Sequence, residues 1–462
     1  MNTDAISTLR QKLRGRLVER TDPDYDTIRA LYNGMIDKRP LLIARCADTA
    51  DVIEAVSAGR AHGLLIAIRG GGHNGPGLGS CDDGLVIDLS LMKDVRVDPS
   101  TRTVRVGPGC TSGDVDHATH AFGLAVPFGI VSTTGVAGLT LGGGTGYLTR
   151  KRGLTIDNLL EVDVVLADGR VVRASSTEHP DLFWALRGGG GNFGVVTSFL
   201  FQAHPVHTVY GGPIFWDAKD AREVMRAYRD FLPTAPEELG IFTGLKTVPP
   251  MDPFPREHWG KRACAIIGAY TGPVEDGERL MSGLLATLPT PIFNWMAAIP
   301  FPAMNALFDP FFPKGLQWYW KGAFVETLTD EAIDIHIAQA ANAPTDFCLM
   351  HLYPIDGAVR RVAPDATAWA ARHASFNMVI AAIAPEPKDA EALKSWGRGY
   401  WKAVRPHNLE GGYVNFMMDD EADGRIQATF GDNYPRLAVV KGKYDPDNLF
   451  RVNQNIAPAV GV

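Results

Sequence analysis

Leu64-Leu65-Ile66-Ala67-Ile68-Arg69-Gly70-Gly71-Gly72-His73-Asn74 joins an apolar strand directly to three glycines and a histidine. Glycine has no Cβ, so its backbone approaches a ligand closely, adopts positive φ, and presents amides that cradle phosphate oxygens. A single cluster of this kind is also what a tight turn needs. Two more follow here, at positions 135–146 and 188–191, and turns alone do not account for all of them. The dinucleotide fingerprint G-x-G-x-x-G is not among them. Gly142-Gly143-Gly144-Thr145-Gly146 misses its spacing and sits in hairpin-rich surroundings, and no Gly-Lys-Ser/Thr run marks a P-loop. The glycines therefore point to a nucleotide site of another type.

Outward from this run, residues 6–18 read as a helix, 41–44 as a strand, and 49–62 as a helix stopped by Gly63. Short β-rich runs follow at 85–89, 95–97 and 103–106, then a helix at 112–121. Asp168-Gly169 between the runs 160–166 and 171–174 predicts a hairpin, and 195–200 is a further strand. Composition changes near His204-Pro205. Beyond it, amphipathic helices at 218–231, 330–341 and 387–404 alternate with aromatic runs such as Trp318-Tyr319-Trp320 and Phe376-Asn377-Met378-Val379-Ile380. This is the pattern of an α+β domain with helices packed on one face of a sheet. A chain of 462 residues exceeds one ordinary core, so at least two domains are expected.

The hydrophobic fraction of 45% and charged fraction of 21% are those of a globular protein. A formal net charge of −7 without any basic run argues against a nucleic-acid partner. No uninterrupted apolar stretch reaches the ~18 residues of a membrane span. Met1-Asn2-Thr3-Asp4-Ala5 lacks the basic and apolar regions of a secretory leader. Five scattered cysteines form neither CxxC pairs nor a disulfide framework, so reduced thiols in a cytoplasmic protein are expected. His117 and His120, with Asp114 and Asp116 nearby, imitate metal ligands at helical spacing. Without a further ligand cluster they read as a solvated helix face, and no metal is expected.

Several long motifs, in order, resemble those of a known family. Ile68 to Asn74, Gly135-Val136-Ala137-Gly138, Gly142 to Tyr147 and Asp157-Asn158-Leu159 are similar to the FAD-binding domain of the vanillyl-alcohol oxidase superfamily. Asp181-Leu182-Phe183-Trp184-Ala185-Leu186-Arg187-Gly188-Gly189-Gly190-Gly191-Asn192-Phe193-Gly194 extends the match. Tyr444-Asp445-Pro446-Asp447-Asn448-Leu449-Phe450-Arg451-Val452-Asn453-Gln454-Asn455-Ile456 resembles the closing motif of its berberine-bridge-enzyme-like branch. The resemblance runs from about residue 38 to the end. It implies an α+β, two-domain PCMH-type FAD-binding fold with an antiparallel-sheet substrate domain covered by helices. The expected limits are 1–207 for the FAD-binding domain, 208–410 for the substrate domain, and 411–462 for a segment returning to the first.

By the same resemblance FAD lies along the glycine clusters, its pyrophosphate on amides near Gly70, Gly71, Gly72 and Asn74. His73 matches the histidine bonded to the flavin 8α-methyl. Arg69, Thr134, Gly135, Gly138, Gly142, Gly143, Gly146, Val196, Tyr413, Asn415 and Asn453 complete the implied cofactor set. Three positions depart from the family pattern. Val131 stands where many members carry a second, cysteinyl link, so one covalent bond is expected. Thr145 replaces a tyrosine of the plant members. Tyr413-Val414-Asn415-Phe416 has phenylalanine where carbohydrate-oxidising members carry a phenol used as base.

Removing a hydride from a CH–OH or CH–NH carbon also requires a base for the heteroatom's proton. Tyr413, placed by strand alternation on the same side as Asn415, is one candidate; His351 and Tyr353 in Met350-His351-Leu352-Tyr353-Pro354 are others. The expected function is that of an FAD-dependent oxidase, with dioxygen as the final acceptor and hydrogen peroxide as a product. Small apolar or aromatic metabolites are favoured as substrates over sugars. A dehydrogenase, an oxygenating enzyme and a flavin-binding protein without turnover stay open, as do monomer and homo-oligomer.

Overall fold

The computed structural model describes residues 2–421 and 423–459. In the first part of the chain, β1 (Arg16–Glu19), β2 (Leu42–Arg45), β3 (Ile66–Arg69) and β4 (Leu85–Asp88) form a four-stranded sheet in the order β1-β2-β4-β3. β4 runs parallel to both β2 and β3. Parallel neighbours need a crossover, and the helix Thr49–Ala61 supplies one between β2 and β3. Its N-cap Asp48 accepts from the Asp51 amide, and Val52, Ala55 and Val56 pack in the core beneath the sheet.

The N-terminal helix is shorter than the sequence predicts: it spans Thr3–Lys12, and Val18 lies on β1. Asp51 decides this. Its buried carboxylate accepts from the amides of Arg14, Gly15 and Ala47, turning the chain so that Leu17 and Val18 enter the sheet. A Cβ on Gly15 would stand 1.9 Å from the Arg45 carbonyl oxygen, so the turn tolerates only glycine.

A second, antiparallel sheet follows from β5 (Val95–Asp98), β6 (Thr103–Val106), β8 (Leu159–Val165), β9 (Val171–Ser175) and β10 (Val195–Gln202), in the order β5-β6-β10-β8-β9. The expected Asp168-Gly169 hairpin joins β8 to β9, with Gly169 at a φ of 86°. Short strands β7 (Leu124–Ala125) and β11 (His204–Pro205) pair with each other.

The second part is one eight-stranded sheet. Its strands are β12 (Thr208–Asp217), β13 (Leu239–Thr247), β14 (Arg262–Tyr270), β15 (Phe293–Asn294), β16 (Ala297–Pro300), β17 (Gln317–Val325), β18 (Leu349–Pro354) and β19 (Phe376–Ala384). Every pairing within it is antiparallel. Strand periodicity sends alternate residues to opposite faces. On β18, Met350 and Leu352 join the core under the helices Ala221–Phe231, Asp330–Ala341 and Ala390–Val404, whereas Leu349, His351 and Tyr353 face away from them.

The C-terminal segment packs back against the first part. Met417, Phe430, Leu437, Val440 and Ile456 share a core with Val104, Val162 and Phe199. Lys441 Nζ, fully buried, donates to Asp445, to the Asn192 carbonyl and to the Phe450 carbonyl. All its donors are thus used, and removing one partner of such a pair costs about 3–5 kcal/mol.

On the helix Ser112–His120, His117 is exposed, as its sequence suggests, but the side that carries Asp116 is covered. Asp116 is 2% exposed and accepts a 2.8 Å hydrogen bond from Asn305 Nδ2 of the helix Phe301–Asn305, and His120 stacks on His207. Asn305 and His207, from the second part of the chain, cover that side, which the isolated helix sequence does not record. Among the described residues no group of three or more His, Cys, Asp or Glu could hold a metal. Burial pushes the Asp116 carboxyl up to about 7. Between the ordinary carboxylate range and that value the folded chain binds a proton the unfolded chain does not, so this group's contribution to stability falls as pH rises through the window. Asp116→Asn should therefore raise the melting temperature more at about pH 8 than at about pH 5, measured by calorimetry.

Candidate active site

A cavity of about 340 Å³ separates the glycine clusters and the returning C-terminal segment from the bare face of the eight-stranded sheet. Arg69, Gly70, Gly71, Gly72, His73, Asn74, Thr134, Gly135, Gly138, Gly142, Val196, Tyr413, Asn415 and Asn453 line it, as do His351 and Tyr353. Gly143 and Gly146 stand behind the wall. A Cβ on Gly146 would lie 2.0 Å from the Phe128 carbonyl oxygen, and Gly143 holds a φ of 130°.

The first two clusters touch backbone to backbone. A Cβ on Gly71 would stand 2.6 Å from both the Cα and the N of Gly135, and one on Gly135 would stand 2.4 Å from the Gly71 N. Gly138 and Gly191 face open space, with nothing within 4 Å of an added Cβ. The glycines thus form a trough whose floor is backbone. Arg69 borders it, but its guanidinium donates to Asp88 and to the Ile28 carbonyl and acts as a strut under the first cluster.

At one end of the trough His73 stacks on Tyr32, with ring centroids 3.7 Å apart and planes inclined by 19°. Its Nε2 lies 3.0 Å from Thr133 Oγ1. Burial pulls the imidazole down to about 4, so it is neutral and keeps a nucleophilic lone pair at neutral pH. Tyr32 and Thr133 escape a motif search because they lie 41 and 60 residues from His73, and only folding brings them together.

The opposite wall is aromatic: Phe308, Phe312, Trp318, Trp320, His351, Tyr353 and Phe416. His351 Nδ1 lies 2.8 Å from the Tyr353 hydroxyl, and its ring packs on Phe242. Gly244 makes room for it across the strand pair, since a Cβ there would meet the His351 ring at 2.4 Å. Burial, aided by the charge of Lys246, holds His351 well below the usual imidazole range. Tyr413 is not on a strand: Val414–Phe416 is a 3-10 turn. The turn nonetheless brings Asn415 Nδ2 within 2.8 Å of the Tyr413 hydroxyl, which also accepts from the Gly144 amide at 2.8 Å. Burial pushes this phenol up to about 12 against those two hydrogen bonds.

Four cavity-lining residues carry a buried polar atom with no partner: Trp318 Nε1, Trp320 Nε1, His351 Nε2 and Asn453 Oδ1. Buried polar groups are usually satisfied, and a polar ligand in the cavity would pair these four. The backbone-floored trough, the neutral histidine at its end and these free atoms fit a long dinucleotide such as FAD.

A family model of the FAD binding domain matches residues 40–175, and one described as berberine and berberine like matches residues 412–457. An FAD-linked oxidoreductase of Dictyostelium discoideum is 31% identical over 99% of this chain and 97% of its own. The (R)-6-hydroxynicotine oxidase of Paenarthrobacter nicotinovorans is 28% identical over 96% and 97% respectively. The solved structure of BBE-like 1 from Physcomitrella patens superposes with a TM-score of 0.87 at 26% identity, covering 99% of this chain and all of that one. The chain belongs to the berberine-bridge-like FAD-linked oxidoreductases. Its cofactor is FAD, and its fold is the expected α+β PCMH-type architecture.

Within this berberine-bridge-like chain the departures fall on the cavity wall. Val131 and Thr145 both line it, and Asn377 Nδ2 approaches Thr145 Oγ1 at 3.5 Å. The five cysteines are buried and unpaired, and none lines the cavity. Phe416 closes the wall between Tyr413 and Trp320 by edge-to-face contacts at 5.1 and 5.9 Å.

Proposed function

We propose that this FAD-linked oxidoreductase oxidises a CH–OH or CH–NH carbon of a small, largely apolar or aromatic molecule, with FAD held by one covalent bond through His73. The observation that carries this reading is a neutral histidine where a glycine trough meets an aromatic wall bearing unpartnered polar atoms. When bound, FAD supplies the hydride acceptor at N5 and passes the electron pair to dioxygen, giving hydrogen peroxide. Thr133 engages Nε2 of His73 and leaves Nδ1 for the bond. The amides and small residues of the trough, Gly70, Gly71, Gly72, Asn74, Thr134, Gly135, Gly138 and Gly142 among them, would hold the cofactor, its pyrophosphate on the amides near Gly70, Gly71, Gly72 and Asn74. Gly143 and Gly146 shape the second cluster from behind.

In this reading Tyr353 takes the proton leaving the substrate heteroatom as its own proton passes to Nδ1 of His351. Burial keeps His351 neutral throughout the neutral range, so its Nδ1 lone pair is free to accept, while the same burial weakens it as a base and raises the Tyr353 phenol. Tyr413, bound to Gly144 and Asn415, positions the second glycine cluster. With domain limits near 207 and 410, the cofactor would lie on the first domain and the returning segment, and the substrate would face the aromatic wall of the second, which Phe416 completes. Five buried free thiols favour a reducing, cytoplasmic setting.

The test is an anaerobic screen of alcohols and amines read by bleaching of the flavin, followed by mixing with air. Bleaching, rapid reoxidation and one peroxide per turnover are expected. Slow reoxidation makes the enzyme a dehydrogenase, incorporation of oxygen into product makes it an oxygenating enzyme, and bleaching by no substrate leaves a flavin-binding protein.

A further inference from the structure

One short turn in the second part of the chain holds both neighbours of His73. It is the 3-10 turn Asp309–Phe311, with Phe312 directly after it. The Asp309 carboxylate accepts from the Ser132 amide at 3.1 Å and takes a second hydrogen bond from the Ser132 hydroxyl. Ser132 precedes Thr133, whose Oγ1 lies 3.0 Å from His73 Nε2. The Phe312 carbonyl accepts a 2.6 Å hydrogen bond from the hydroxyl of Tyr32, whose ring stacks on the imidazole. Burial and the Asp309 carboxylate push the Tyr32 phenol up, so it stays a donor. The Ser132–Thr134 loop also has anchors in the first part of the chain. The Ser132 carbonyl accepts from the Gly113 amide, and the Thr134 carbonyl accepts from the Ser112 amide. Asp309 takes the groups those anchors leave free, the N–H and the hydroxyl of Ser132.

We propose that Asp309 is a positioning residue for the covalent flavin bond: by clamping Ser132 it sets Thr133 against Nε2 of His73. This rests on the covalent reading of His73 and adds the group that orients it. A histidine's tautomer is set by the hydrogen bond its other nitrogen makes. With Thr133 Oγ1 accepting from Nε2–H, the lone pair stands on Nδ1, and the Tyr32 ring holds the imidazole plane. In forming the bond, Nδ1 takes the place of one hydrogen of the flavin 8α-methyl. That hydrogen and the imidazole N–H leave as protons. The two electrons set free pass into the flavin ring and then to dioxygen, which with two protons becomes hydrogen peroxide. Asp309 touches none of the reacting atoms and acts only through the Ser132–Thr133 pair.

The experiment measures acid-precipitated flavin against total flavin in the purified holoproteins, with melting temperature read alongside. Wild-type flavin should pellet with the protein. Asp309→Ala and Thr133→Val should each release at least about half of it at unchanged total flavin, because an ill-set nucleophile reacts far more slowly. The double variant should release no more than Thr133→Val alone, since both act at one contact. Asp309→Asn should keep the bond, because its side chain still accepts from the Ser132 amide and can donate to the Ser132 hydroxyl. The proposal is overturned if Asp309→Ala pellets flavin as the wild type does, or if its loss adds to that of Thr133→Val. Should Asp309→Ala not fold, Ser132→Ala removes the hydroxyl half of the clamp, and full retention of pelleted flavin there overturns the proposal. Wild-type flavin freed by acid refutes the covalent reading and the proposal with it. Yellow pellets from both wild type and Asp309→Ala refute only the role of Asp309.

Discussion

Acid precipitation of the wild-type protein is expected to leave its yellow colour in the pellet, and the same treatment of His73→Ala to release all of it. The imidazole is neutral because burial pulls it down to about 4, and it is held in place by the Tyr32 ring and Thr133. A nucleophilic nitrogen fixed at the end of the trough is what bonding to a flavin methyl requires. Val131 offers no thiol for a second link, and no cysteine lines the cavity, so His73→Ala should retain no covalent flavin at all. Because the backbone trough does not depend on the imidazole, the variant should still purify with FAD that acid or heat frees. Free flavin in the wild-type supernatant would refute the covalent bond while leaving the cofactor assignment standing. Yellow pellet from His73→Ala would move the bond to another residue.

The second large effect concerns the proton. Tyr353→Phe should slow anaerobic flavin reduction by the substrate found in the screen by about 10²-fold or more, the usual share of a positioned acid–base group. His351→Ala should act similarly, because Tyr353 then loses the acceptor 2.8 Å away. Flavin content and melting temperature should change little in Tyr353→Phe, since the ring that packs on Phe242 and Phe416 is kept. The pH profile of reduction adds a sign. His351 is held well below the ordinary imidazole range, so the rate should show no acid limb near about pH 6.5. If Tyr353→Phe reduces flavin at the wild-type rate and Tyr413→Phe does not, Tyr413 is the base and His351–Tyr353 is packing.

The cofactor was legible before the fold. Ile68 to Asn74, the second and third glycine clusters and the Tyr444–Ile456 tail are contiguous motifs, and their resemblance to the family named FAD where the glycines alone pointed only to a nucleotide site. The helix Asp330–Ala341 and the β8–β9 hairpin were legible because periodicity and turn chemistry are short-range. Misreadings came where a distant partner outweighs local pattern. The Asp51 carboxylate ends the first helix from the far side of β2, and the Phe301–Asn305 helix buries an Asp116 that a helical wheel leaves in water.

The sequence by itself determined the class of protein, its cofactor and the glycine clusters that line the cavity. These reside in residues adjacent along the chain, where spacing alone fixes geometry. Only the tertiary structure decided what surrounds His73 and what faces it. Tyr32 and Thr133 meet His73 across loops, Asn415 reaches Tyr413 through a 3-10 turn, and His351 is seated on Phe242 and Gly244 because β13 and β18 pair. Such contacts are set by strand register and by the packing of one sheet on another. A one-residue slip of β18 would turn His351 and Tyr353 into the helical core and leave the motifs untouched.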